Sequence, residues 1–155
     1  MELLFISQNN IKVKYEIKQL YLNNNLEDSW YPLKNNSVAS FKQVFFKIIL
    51  ETNETKYFIL KNVFISYLDK NIVIRFSDQF NVYITNKDQT VLKTNKAKLN
   101  ELRAKAKYLE ATLALDLDLK NETEFSVLKS KIFKLTAITY FDLAKEGVIN
   151  EKKVK

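Results

Sequence analysis

The sequence predicts an α+β fold, an N-terminal antiparallel β-sandwich followed by a C-terminal antiparallel two-helix hairpin. Up to about residue 85, apolar residues alternate with polar ones in short runs separated by turn residues, the period-two signature of half-buried strands. Beyond Thr94 the spacing changes to steps of three and four, the signature of an amphipathic helix. A chain of 155 residues and 18.3 kDa is long enough for one small domain with a helical appendage. These observations divide the chain into a sandwich over 1–85, a connector over 86–95, a hairpin over 96–144 and a basic tail over 145–155.

The cleanest strand is residues 11–17, where Ile11, Val13, Tyr15 and Ile17 alternate with Lys12, Lys14 and Glu16. Residues 23–37 are polar, hold three consecutive Asn and the single Pro, Pro32, and read as a loop. Residues 40–51 are dense in aromatic and β-branched side chains, as in a strand covered on both faces. The turn residues Thr52, Asn53, Glu54 and Thr55 then lead into strands over 56–60 and 62–67, and Leu68-Asp69-Lys70 leads into a strand over 71–76. Short strands at this spacing, with no helical period between them, favour an antiparallel sandwich over an α/β fold.

In the C-terminal part Leu99, Leu102, Ala106, Leu109 and Leu113 form one stripe, flanked by Ala97, Ala104 and Ala111. Thr94 or Asn95 is the expected cap. The period breaks at residues 116–121 and resumes with Phe125, Leu128, Ile132, Leu135, Ile138 and Phe141, with Asn121 and Glu124 spaced as a capping box and Gly147 as the stop. Two such stripes joined by a short turn pack as an antiparallel hairpin, each helix running roughly 30 Å over about 20 residues.

Composition excludes much. There is no Cys and no His, so disulfides, thiolate or imidazole metal ligands, a Cys nucleophile and the commonest general base are all absent. No G-x-x-x-x-G-K-S/T loop is present, so nucleotide hydrolysis by that route is excluded. The reading is therefore of a chain that is not an enzyme and requires no cofactor or metal. Asp116, Asp118, Glu122 and Glu124 cluster at the hairpin turn without the Gly and ligand spacing of a calcium loop, which leaves capping and solvation as their role. The net charge of +7 and pI near 9.4 invite a nucleic-acid reading. Yet only Arg75 and Arg103 among the 25 basic residues are arginines, and the excess is spread along the chain rather than gathered. Neither a secretory leader nor an 18-residue apolar span is read, so the expected location is cytoplasmic.

At the start of the first helix, Leu99-Asn100-Glu101-Leu102-Arg103-Ala104 matches the pattern I/L-D-x-x-R-A at every fixed position except Asn100. Residues 127–135 repeat basic residues and Leu around a narrow apolar stripe, and Tyr31-Pro32-Leu33-Lys34 falls in the place of a P-x-H turn. In layout and in these segments the chain resembles the epsilon subunit of F-type ATP synthases, as a divergent member. The resemblance implies a non-catalytic central-stalk subunit of an F-type or F-type-like rotary ATPase, including a paralogous, motility-linked one. It also implies a sandwich docked on the gamma subunit, a hairpin that regulates ATP hydrolysis at the catalytic head subunits, and a location peripheral to the cell membrane, with a membrane ring as a further partner.

By the same resemblance, Asn100, Arg103 and Lys134 are the candidate contacts for ATP as a regulatory ligand, against the alternative that they are solvated helix-face groups. Lys129, Lys131 and Lys134 are the candidate basic face toward the head subunits, against a role in solubility alone. Hairpin packing is assigned to Leu99, Leu102, Ala106, Leu109, Leu113, Phe125, Leu128, Ile132 and Leu135. Trp30, Phe45, Phe46 and Phe64 stand either as core or as a base-stacking platform. The competing function is a stand-alone basic binding module for RNA or protein.

Overall fold

The computed structural model describes residues 1–115 and 119–147, with the side chains of 119–121 excepted. Asp116 and Asp118 of the acidic cluster, the side chain of Asn121 and residues 148–155 of the basic tail lie outside this description. The described residues form two compact units, one of Met1–Ile84 with residues 144–147, the other Thr85–Leu143.

The first unit is built from β1 (Glu2–Ser7), β2 (Lys12–Asn23), β3 (Tyr31–Pro32), β4 (Ser37–Leu50), β5 (Thr55–Leu68), β6 (Asn71–Phe76) and β7 (Tyr83–Thr85). It is the N-terminal β-sandwich. Its ladders are antiparallel except for β1 with β6, which run parallel from Glu2 opposite Asn71 to Ser7 opposite Phe76. Long strands change neighbours along their length: β2 pairs with β1 through residues 12–16 and with β4 from Ile17 onward. The pairings β1–β2–β4–β5–β6–β1 thus close a circuit around one core.

That core is aromatic at its centre. Phe5, Phe46 and Phe58 have no solvent exposure, and the Phe5 ring lies 4.7 Å from Phe58 and 5.1 Å from Phe80. Leu3, Ile17, Leu60, Ile65, Ile72 and Ile74 fill the space around them. Alternation produces this directly, since in β6 Ile72, Ile74 and Phe76 are buried while Asn71 and Arg75 are exposed. With one glycine in the chain, most left-handed turn positions fall to Asn and Asp, at Asn10, Asn36, Asn53 and Asp69, with Lys70 beside the last. Leu26 also has positive φ, and Asn23 braces it: its Oδ1 accepts the Leu26 N–H at 2.8 Å and its Nδ2 donates to the Glu27 carbonyl at 2.6 Å.

The strand boundaries correct the sequence reading in three places. The strands expected over 56–60 and 62–67 are one, because Asn62 adopts φ 50° without breaking the register to β4. The loop expected over 23–37 holds the two-residue β3, in which Pro32 sits at the short edge where its missing N–H is tolerated. The N-terminal residues, not assigned by alternation, form β1 at the centre of the circuit.

The second unit is the C-terminal helical hairpin, α1 (Gln89–Leu115) and α2 (Leu119–Tyr140). The connector expected over 86–95 is shortened to 86–88, because Asp88 caps α1: its Oδ1 accepts the Thr90 N–H at 3.0 Å and its carbonyl accepts the Leu92 N–H at 3.1 Å. Thr94, an expected cap, is inside the helix and donates Oγ1 to the Thr90 carbonyl. The expected stop at Gly147 is also corrected. α2 ends at Tyr140, Asp142 turns the chain with φ 51°, and a last strand, β8 (Leu143–Lys145), joins the sheet beside β7. The Asn86 N–H donates to the Asp142 carbonyl at 2.6 Å, so the hairpin's entry and exit are tied together. Lys145 and Glu146, expected in a tail, belong to the sheet unit, where the Glu146 N–H reaches the Val82 carbonyl and its carboxylate pairs with Lys56.

Candidate functional site

The hairpin carries the candidate site residues. Its two apolar stripes meet antiparallel, Leu109 near Leu128 at one level and Leu102 near Leu135 at another. All nine packing residues named from the sequence are buried or half-buried, while neighbours such as Lys105, Lys107 and Glu110 are exposed. The stripe is narrow: on α1 only Leu99 and Leu109 are fully buried.

Beside the Leu102–Leu135 level lies an open depression of about 350 Å³ with an apolar floor of Leu102, Leu135 and Ile138 and a rim of Lys98, Lys131 and Lys134. Three cations above an apolar floor suit an anion that carries an apolar portion. Lys98 was not singled out by sequence; its signal was its position four residues before Leu102, which places both on one helix face.

Arg103 stands elsewhere on α1. Its Nη2 donates to Tyr140 Oη at 3.4 Å and its guanidinium carbon lies 6.0 Å from the Tyr140 ring centroid. Asn100 is exposed and Lys134 half-buried. Of the three ATP candidates, then, Lys134 lines the depression and Arg103 faces the end of α2. The three lysines expected to form one basic face divide in the same way. Lys131 and Lys134 share the rim, whereas Lys129 lies with its Nζ 4.6 Å over the Phe125 ring, as an i, i+4 neighbour must. At about 100° per residue, Lys129 points roughly 140–160° away from the other two.

The aromatic residues of the sheet sort cleanly. Phe46 belongs to the core and Phe45 is fully buried on the opposite face of β4, stacked on Tyr57 at 6.1 Å and covered by Trp30 at 5.3 Å. Lys47 Nζ sits 4.2 Å from the Trp30 ring, and burial lowers its pKa although Asp28 works the other way. Neither Phe45 nor Phe46 is available for stacking on a base; Phe64, 45% exposed, is. Tyr83 is buried with its hydroxyl unpartnered among the described residues, and burial, helped by Asp78, pushes its pKa up to about 12. Among the described residues no three carboxylates converge as a metal site, and no helix is long and apolar enough to cross a membrane.

These features define a class: a closed β-sheet domain followed in the chain by an antiparallel helical hairpin with a lysine-rimmed depression. The chain belongs to the UU051 N-terminal domain family, whose profile matches residues 1–81, nearly the whole of the sheet unit up to the hairpin. It is also similar to an uncharacterized protein, UU051, of Ureaplasma parvum serovar 3 (strain ATCC 700970), with 28% identity over 141 residues. That likeness covers 84% of this chain and 83% of the relative, so it extends past the sheet unit into the hairpin.

Proposed function

We propose that this chain is a non-catalytic, epsilon-like central-stalk subunit of an F-type or F-type-like rotary ATPase. In this reading the sheet unit holds the gamma subunit and the hairpin meets the catalytic head subunits and regulates ATP hydrolysis. One observation carries it, the succession in a single chain of a closed sheet domain and an antiparallel hairpin whose first helix opens on Leu99-Asn100-Glu101-Leu102-Arg103-Ala104. The cations of the hairpin supply the charge for contact with acidic head surfaces, Lys131 and Lys134 on one side and Lys129 on the other. ATP is the regulatory ligand of this reading, with Lys134 on the rim of the depression as its phosphate contact and Arg103, which faces Tyr140 at the end of α2, outside that rim. The subunit would work on the cytoplasmic side, peripheral to the cell membrane.

The test is co-purification of a tagged copy from its native cell, with the bound proteins identified by mass spectrometry. Recovery of a gamma-like subunit with head subunits is the expected result. Recovery of RNA or of unrelated proteins would replace this reading with that of a stand-alone binding module.

A further inference from the structure

The sheet unit has an open edge. Within β4 the residues from Phe45 onward are flanked by both β2 and β5, whereas residues 37–42 have no ladder partner other than β5 among the described residues. An edge of this length presents a row of backbone N–H and C=O groups that can template another strand, and edges are ordinarily guarded by several charges, a proline or a bulge. Residues 37–42 contain one such guard, Lys42.

The side chains along this edge are those of a covered surface. Val38 is 64% exposed, Ser40 is exposed, and Phe64, directly opposite Ser40 on β5, is 45% exposed. These three lie on one face of the sheet, with Lys42 two residues further along it. Asp28 acts on Lys47, which leaves Lys42 as the cation of this edge with no carboxylate paired to it among the described residues. From residue 29 to residue 50 the chain holds Lys34, Lys42 and Lys47 and no Asp or Glu.

We infer that a partner protein adds an extended, carboxylate-bearing strand to the sheet along residues 37–42. Its backbone continues the β4 ladder, an apolar side chain covers Val38 and the Phe64 ring, and a carboxylate two residues away meets Lys42. A second copy of this chain is the poorer occupant, because it would bring the same lysines against one another with no acid between them. The inference rests on the stalk reading and specifies how the sheet unit grips its stalk partner.

The test is amide hydrogen exchange on the full chain, alone and mixed with the purified gamma-like subunit of the same cell. Alternate amides within residues 37–42 are expected to slow by about 100-fold or more in the complex. Val38→Glu with Lys42→Glu should abolish the complex while leaving circular dichroism and Trp30 fluorescence unchanged. The milder Lys42→Gln should weaken binding by roughly 5-fold and reduce its salt dependence. A complex that forms without slowing these amides overturns the strand inference and leaves the stalk reading standing. Absence of any complex with the unaltered chain defeats the stalk reading and this inference with it. Protection that grows with the chain's own concentration, without gamma, would assign the edge to a second copy and overturn the inference as well.

Discussion

The two units of this chain are stabilised by different amounts of the same material. In the sheet unit, strand alternation delivers large side chains from five strands into one closed space, and its aromatic rings touch one another at 4.7–6.3 Å. In the hairpin, two helices offer one stripe each, and most of its members remain half-buried. A narrow seam between two helices cannot exclude as much apolar surface as a closed sheet, so the sheet unit is the rigid partner and the hairpin the soft one.

This contrast can be broken by four measurements. Phe58→Ala should cost the sheet unit about 3–5 kcal/mol in equilibrium denaturation followed by Trp30 fluorescence, since a fully buried ring leaves a cavity its neighbours cannot close. Leu128→Ala should cost about 2 kcal/mol, at the low end for leucine, because the neighbouring depression lets the seam relax. Its helical signal at 222 nm should melt before Trp30 fluorescence changes; coincident transitions would show that the units unfold as one and remove the contrast. Asp88→Ala should cost about 1 kcal/mol through loss of the α1 cap, read as a lower helical melting temperature, while Asp88→Asn, which keeps an acceptor, should change little.

The smallest effect concerns Tyr83. Its pKa of about 12 in the folded chain lies above the ordinary tyrosine value of about 10, so the folded state holds the phenolic proton more tightly. The stability this represents is intact below pH 10 and is lost as pH rises toward 12. Tyr83→Phe should flatten part of the decline over that window in pH-dependent denaturation, the remainder coming from Tyr15 and Tyr57, whose pKa values are also raised by burial. An unchanged alkaline slope would mean that the Tyr83 hydroxyl is not desolvated.

The fold class was legible because both periods are written plainly in the residues; the nine hairpin residues named from spacing are buried or half-buried, but Thr136, Ala137 and Thr139 of α2, also buried, were not among them. The boundaries were less so. Asp88 escaped as the α1 cap because Thr94 and Asn95 stand nearer the first long-spaced leucines, and helices extend beyond the residues that bury them. Asn62 looked like a break because Asn favours turns, yet neighbours on both sides held it in the strand. β8 was hidden by its length of three residues and by a pairing with β7, which lies about 60 residues earlier in the chain. At the site, Lys129, Lys131 and Lys134 read as a row in sequence, but rotation along α2 separates the first from the other two. Lys98 could be joined to them only once the partner helix was in place.

The exit of the hairpin lies beside its entry, with Asn86 and Asp142 bonded backbone to backbone and β7 and β8 as neighbouring strands. In effect the helices are a long excursion between two adjacent strands of the sheet. Excising residues 86–142 and joining Thr85 to Leu143 through a two-residue turn would replace that excursion with an ordinary β-hairpin. The shortened loop closes at lower entropic cost than the native one, so the sheet unit should survive as a minimal module onto which other insertions can be grafted.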